Sequence, residues 1–206
     1  LPISGPALKA AAWTTSKPLR FEVVQAAAFS AGPEPTWLVK DLLPQAELAV
    51  LYGEPGSGKS FAMLDLAMAV ARGEPWRGLR VHQAPVVYVA AEGGGGFRRR
   101  LRAYAQHHGL ELAELPFYVV HVAPNMLQKV DAVDLIRAIR QVVPGGQCGL
   151  VVLDTLAQVT PGGNENSGED VGRALAHCKA IHVALGALVA LVHHSGKDAS
   201  KGARGW

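Results

Sequence analysis

Three observations predict an α/β protein built on a mostly parallel, twisted sheet with helices on both faces. Five short apolar runs rich in Val, Leu and Ala recur along the chain, four longer helix-like stretches separate them, and a glycine-rich segment, GEPGSGKS, comes directly after the first run. Apolar strands that lack polar alternation belong inside a sheet covered on both sides, and strands that alternate with helices point to parallel connections. In such folds ligands collect at the carboxyl ends of the strands, so the residues just beyond each run carry the functional signal.

The first 20 residues, LPISGPALKAAAWTTSKPLR, carry three prolines and no sustained period. They are expected to be a linker or the tail of an upstream domain, with the missing initiator Met read as upstream sequence removed. The core is expected over 21–206. Up to Gln45 the chain is mixed, because Pro33, Pro35 and Pro44 break it into short pieces. The apolar runs are LAVLYG (48–53), VVYVAA (86–91), FYVVHV (117–122), LVVLDT (150–155) and ALVALVHH (187–194). Helices are predicted at about 59–72, 95–108, 131–143 and 170–185. Ser167 fits the cap of the last one, with Asp170 in the acidic place of a capping box.

Composition narrows the class. Of 206 residues, 49% are apolar and 18% charged, a profile that suits a globular domain rather than a disordered chain. The formal charge of +3 permits a nucleic-acid partner without requiring one. No apolar run nears the roughly 18 residues of a membrane span. Neither is a secretory leader visible, so the expected location is cytoplasmic, with no membrane partner. Cys148 and Cys178 sit 30 residues apart in apolar surroundings and are expected to be buried thiols of a reducing compartment.

GEPGSGKS runs from Gly53 through Glu54, Pro55, Gly56, Ser57, Gly58 and Lys59 to Ser60, and Phe61 opens the helix behind it. It fits G-x-x-x-x-G-K-[ST] in full. Glycines let the backbone wrap phosphate oxygens with N–H donors, and the helix adds its positive end at the same anion. Lys59 has the length to reach β- and γ-phosphates, and the Ser60 hydroxyl is a ligand for Mg²⁺. ATP with Mg²⁺ is the expected cofactor pair.

Such a site needs a second metal holder at the end of another strand. Asp65 and Asp134 fall in helix-like stretches, whereas Asp154 ends LVVLDT, so Asp154 is the candidate beside Ser60. A nucleotide-kinase reading would use the arginines at 98–102 as a lid. On a helix with Leu101 and Tyr104 turned inward, however, Arg98, Arg99, Arg100 and Arg102 are expected to form a solvated face.

GEPGSGKS, the Glu92 after VVYVAA, LVVLDT, and LVHHSGK followed by KGARG together resemble the RecA-like core of RepA-type hexameric replicative helicases, motor ATPases of plasmids and phages. The likeness covers about residues 36–206. It implies a RecA-like P-loop NTPase fold whose further strands would come after Trp206, a chain therefore truncated at its C-terminal side. By resemblance Glu92 matches the glutamate that activates the attacking water. His193 and His194 match the histidine position that senses γ-phosphate, with strand alternation favouring His194. Arg204 matches the arginine finger that reaches into a neighbouring subunit.

The resemblance also implies a homo-oligomeric hexameric ring and single-stranded DNA as partner, through loops 160–168 and 195–205. TPGGNENSG carries no basic residue, while SGKDASKGARG holds Lys197, Lys201 and Arg204 and suits a contact that tracks the phosphate backbone. Neither loop offers an aromatic for base stacking. The implied function is ATP hydrolysis coupled to DNA translocation or unwinding in replication. The alternative is a RecA-type DNA-dependent ATPase that acts as a switch or scaffold in recombination or repair, without unwinding.

Overall fold

The five apolar runs become the five strands of one parallel sheet in a computed structural model that describes residues 21–45, 47–164 and 167–194. The tail 1–20 and the segment 195–206, with Lys197, Lys201 and Arg204, lie outside the described residues, as do Glu165 and Asn166 of the loop 160–168. The chain falls into two units, one ending at Glu34 and one beginning at Pro35. Among the described residues of the first, the short helix α1 (Ala26–Ser30) leaves Phe29 78% exposed.

The second unit opens with a small antiparallel hairpin, β1 (Trp37–Val39) and β2 (Leu43–Pro44). The mixed, proline-broken composition of this region gave no strand expectation. Its strands form because Leu38 and Val39 are fully buried and because Lys40 N–H donates to Arg80 O at 2.9 Å and His82 N–H to Leu38 O at 2.8 Å.

Beyond the hairpin come β3 (Leu48–Gly53), α2 (Lys59–Arg72), β4 (Val86–Ala90), α3 (Gly94–His108), β5 (Phe117–Val120), α4 (Lys129–Val142), β6 (Leu150–Asp154), α5 (Gly168–Leu185) and β7 (Leu188–His194). The strands lie in the order β3-β7-β6-β4-β5, all parallel. Strand β3, which precedes the glycine-rich loop, stands at one end of this sheet. Strands β4 and β6 are hydrogen-bonded neighbours near the other end. This is the mostly parallel α/β sheet that the alternation of runs and helices predicts.

Side chains alternate across each strand and fill two separate cores. Val87, Val89, Val151, Leu153, Val189 and Leu191 pack with α4 and α5 residues such as Ile139 and Ile181. Their odd-even partners Val86, Tyr88, Val152, Ala190 and Val192 pack with Met63, Ala67 and Met68 of α2 and Phe97 of α3. Full burial of one Val or Leu contributes about 1.5–3 kcal/mol, and β6 buries all five of its residues. That explains the unbroken apolar runs.

Ser167 caps α5, accepting from Asp170 N–H at 3.4 Å. The reciprocal half of the capping box does not form. Asp170 instead accepts from Asn164 N–H at 3.0 Å, because Ser167 N–H is already given to Asn164 O at 2.8 Å. Among the described residues no helix is long and apolar enough to cross a membrane.

Both cysteines are buried, Cys148 at 4% exposure and Cys178 at 0%, and burial pushes each thiol up to about 12. The thiolate is the reactive form. Neither cysteine should therefore react with an aromatic disulfide reagent in the native protein at neutral pH, and both should react at once in denaturant. Rapid native labelling would contradict this packing.

Candidate nucleotide site

The carboxyl ends of β3, β4, β6 and β7 share one edge, because parallel strands in register finish together. Ala90 pairs with Asp154, Asp154 with Val192, and Gly53 with His194. Residues that close these strands, far apart in sequence, therefore face one another.

The glycine-rich loop curls after β3. Gly56 and Gly58 take φ of 77° and 86°, the left-handed region that side-chain-bearing residues avoid, and an added Cβ at either would project into open space. Gly53 has neither a positive φ nor a close neighbour below 3.4 Å, so its glycine is not demanded by the backbone in this way. Gly58 caps α2, whose first residues are Lys59 and Ser60. Lys59 bends back across the loop and donates to Gly53 O at 2.9 Å and Glu54 O at 2.7 Å. The first N–H groups of α2 and the ammonium of a buried lysine thus converge on the same concavity, which is what an oligophosphate needs.

Ser60 Oγ donates to Asp154 Oδ1 at 3.0 Å, and Tyr88 Oη donates to Asp154 Oδ2 at 2.6 Å. The hydroxyl and carboxylate expected to hold a divalent cation are therefore side by side. This pairing of oxygen donors fits Mg²⁺, a hard cation that takes few protein ligands. Asp154 is 4% exposed, and burial raises its carboxyl above the usual range, while the hydrogen bonds from Tyr88 and Ser60 pull the other way. Burial, and then the neighbouring Asp154 charge, raise the Tyr88 hydroxyl. Tyr88 keeps its proton and serves as a fixed donor.

Glu92 stands two residues past the end of β4. Its Oε1 accepts from Thr155 Oγ1 at 3.1 Å and lies 3.8 Å from His194 Nε2. His194 and His193 point to opposite sides, as neighbours on a strand must. His193 is fully buried, and its alternation partners Leu191 and Val189 pack toward α4 and α5. His194 lines the cleft.

A cleft of about 360 Å³ joins these groups. Gly56, Lys59, Ser60 and Phe61 line one side, and Glu92, Thr155, His194 and Arg100 the other. Arg100 is a correction. It does not belong to the solvated face that Arg98, Arg99 and Arg102 form, because it lies three residues after Phe97 on α3 and shares its inward side. Its guanidinium lies 5.4 Å from the centroid of the Phe61 ring. An apolar groove of about 460 Å³ continues between α2 and α3, past Phe61, Leu64 and Ala103.

The predicted helix at about 95–108 begins at Gly94, so Gly94, Gly95 and Gly96 form the first turn of α3, and Gly93, with φ of 115°, makes the bend out of the strand. Phe97 holds that turn down by stacking on Tyr88 with ring centroids 4.4 Å apart. Sequence reasoning did not single out Tyr88 or Thr155. The signal for Tyr88 was a phenol inside an otherwise hydrocarbon strand, since a buried Tyr hydroxyl needs a partner. For Thr155 it was a hydroxyl next to the candidate metal carboxylate.

The raised Asp154 carboxyl has a stability consequence. A carboxyl whose folded pKa exceeds its unfolded value holds its proton more tightly when folded, so stability falls as pH rises through that window. Asp154→Asn should therefore raise Tm at neutral pH, and the gain should shrink as the pH is lowered into the carboxylate range. A calorimetric pH series that showed a lower Tm for Asp154→Asn at neutral pH would refute the destabilising role of this burial.

The profile of a family described as "AAA domain" matches residues 15–200. No curated protein matches the chain. Among solved structures the chain is similar to a KaiC-like protein from the hyperthermophilic archaeon Pyrococcus horikoshii, at 16% identity and a TM-score of 0.48, covering 78% of this chain and 67% of that one. The family match spans most of the chain, and with the loop, the sheet order and the cleft it supports one conclusion: the chain belongs to the AAA domain family and is a P-loop ATPase.

Proposed function

We propose that this core is the motor of a RepA-type replicative helicase, in which hydrolysis of Mg²⁺-ATP drives movement on single-stranded DNA within a hexameric ring. The observation that carries the reading is the meeting of Lys59, Ser60, Asp154, Glu92 and His194 around one cleft at one sheet edge. Phosphoryl transfer asks little covalent work of a protein and much positioning and charge compensation. Lys59 and the first N–H groups of α2 take the phosphate charge. Ser60 and Asp154 would hold the metal ion, which when bound would neutralise charge on the phosphate oxygens.

Glu92 orients a water and receives its proton, since it is the carboxylate beside the phosphate loop that is not tied to Ser60 and Tyr88. In this reading His194, 3.8 Å from Glu92, registers whether the γ-phosphate is there. Arg100 adds a second cation to the cleft, and the apolar groove beyond Phe61 suits the flat face of a base. The paired histidines and the KGARG segment of the resemblance favour the motor over a static RecA-type switch. Arg204 as a finger in trans, and DNA contact through 160–168 and 195–205, belong to the same reading.

Lys59→Ala should abolish measurable nucleotide binding by calorimetry. Glu92→Gln should keep binding and lower turnover by roughly 10²- to 10⁴-fold. Normal turnover in Glu92→Gln would overturn its assignment as base. For the motor itself, single-stranded DNA should stimulate ATP hydrolysis and sedimentation should reveal a ring. Hydrolysis indifferent to DNA, by a protein that never assembles, would overturn the motor reading.

A further inference from the structure

Thr155 directly follows Asp154, the last residue of strand β6, is 1% exposed, and donates from Oγ1 to Glu92 Oε1 at 3.1 Å. Its backbone is held from both directions. Asp154 O accepts from Ala91 N–H at 2.9 Å, while Thr155 O accepts from Gln158 N–H at 3.1 Å and Val159 N–H at 3.2 Å. A β-branched side chain on so constrained a backbone has little freedom at χ1. Glu92 is the opposite case. It lies beyond the strand end, next to Ala91, and keeps 38% of its side chain exposed.

The 3.8 Å separation from His194 is too long for a hydrogen bond. Thr155 therefore makes the short contact that restrains the glutamate, and both neighbours meet the same oxygen, Oε1. We propose that Thr155 is a positioning residue for Glu92: by clamping Oε1 it leaves Oε2 as the oxygen that receives the proton of the attacking water. The inference rests on Glu92 as the base. Thr155 transfers no proton. Its hydroxyl remains a donor while the water's proton passes to Oε2 and the hydroxide oxygen bonds to the γ-phosphorus, displacing ADP.

The arrangement also explains why a buried hydroxyl sits next to the metal carboxylate. Two side chains from adjacent strands, each one residue past a backbone hydrogen bond, meet only if β4 and β6 keep their register. Thr155 thus converts strand registry into the orientation of a carboxylate.

The test uses the full chain and steady-state ATP hydrolysis. Thr155→Val, nearly isosteric, should lower kcat by roughly ten- to a hundredfold, the scale of a misplaced catalytic group, while KM and nucleotide Kd stay within about twofold. Thr155→Ser should retain most of the wild-type kcat. In single-turnover assays, Glu92→Gln with Thr155→Val should be no slower than Glu92→Gln alone, because the threonine acts through that carboxylate. If Val is not tolerated at this buried position, Thr155→Ala removes the same hydroxyl and is judged by the same measurements.

A wild-type kcat in Thr155→Val beside an inactive Glu92→Gln would overturn the positioning role and leave the base in place. Full activity in Glu92→Gln would instead remove the base, and this inference with it. Loss of nucleotide binding, or an additional loss in the double variant, would assign Thr155 to the integrity of the loop and overturn the proposal.

Discussion

The hydrogen bond from Tyr88 to Asp154 is the interaction on which the rest of the site depends. An ionised carboxylate buried among hydrocarbon strands is costly unless each oxygen is satisfied. Here one oxygen accepts from the phenol and the other from Ser60, so the central strand and the phosphate-binding helix are joined through a single side chain. The ring of Tyr88 completes the link by stacking on Phe97, the residue that seats the first turn of α3. Removing the phenol would leave both a cavity and an orphaned oxygen, two penalties that fall on the same place in the fold.

Helix α3 is tied a second time, to α2. Asp65 accepts from Trp76 Nε1 at 2.9 Å and from the Tyr104 hydroxyl at 3.5 Å, on the side of α2 that faces α3. The groove between the helices thus has walls fastened near both ends. Phe61, 64% exposed, is the one large apolar side chain of α2 among the exposed hydrophobic residues, and Arg100 lies over it. A guanidinium above an aromatic face is attracted modestly, by about 0.5–1 kcal/mol when exposed, enough to orient both groups at the cleft mouth without immobilising them.

Much of this architecture is legible in the residues. Strands read clearly because parallel strands must be apolar on both faces, and the helix beginning at Lys59 is marked by the loop that precedes it. What escapes does so for identifiable reasons. The hairpin at 37–44 is held by Leu38 and by bonds to residues 80 and 82, which no local pattern contains. Helix α3 starts at Gly94, a residue earlier than predicted, because packing of Phe97 overrides the poor helix propensity of glycine. Arg100 resembles its neighbours in composition, although its spacing from Phe97 and Tyr104 already sets it on the inward side. At the site, Asp154 and Glu92 are visible as strand-end carboxylates, whereas their supports, Tyr88 and Thr155, stay hidden because a support is defined by a neighbour in space.

The opposite orientations of His193 and His194 carry a consequence for how β7 can vary. One histidine is fully buried, the other lines the cleft, and the parity of the strand sets them on opposite sides. Substitution along Leu188–Val192 changes volume and can be absorbed by repacking. Insertion or deletion of a single residue there would reverse every side chain on whichever side of it is shifted, and a shift of the carboxyl end would exchange the two rings and bring a cleft residue into the core. The segment is therefore free in spelling but not in length.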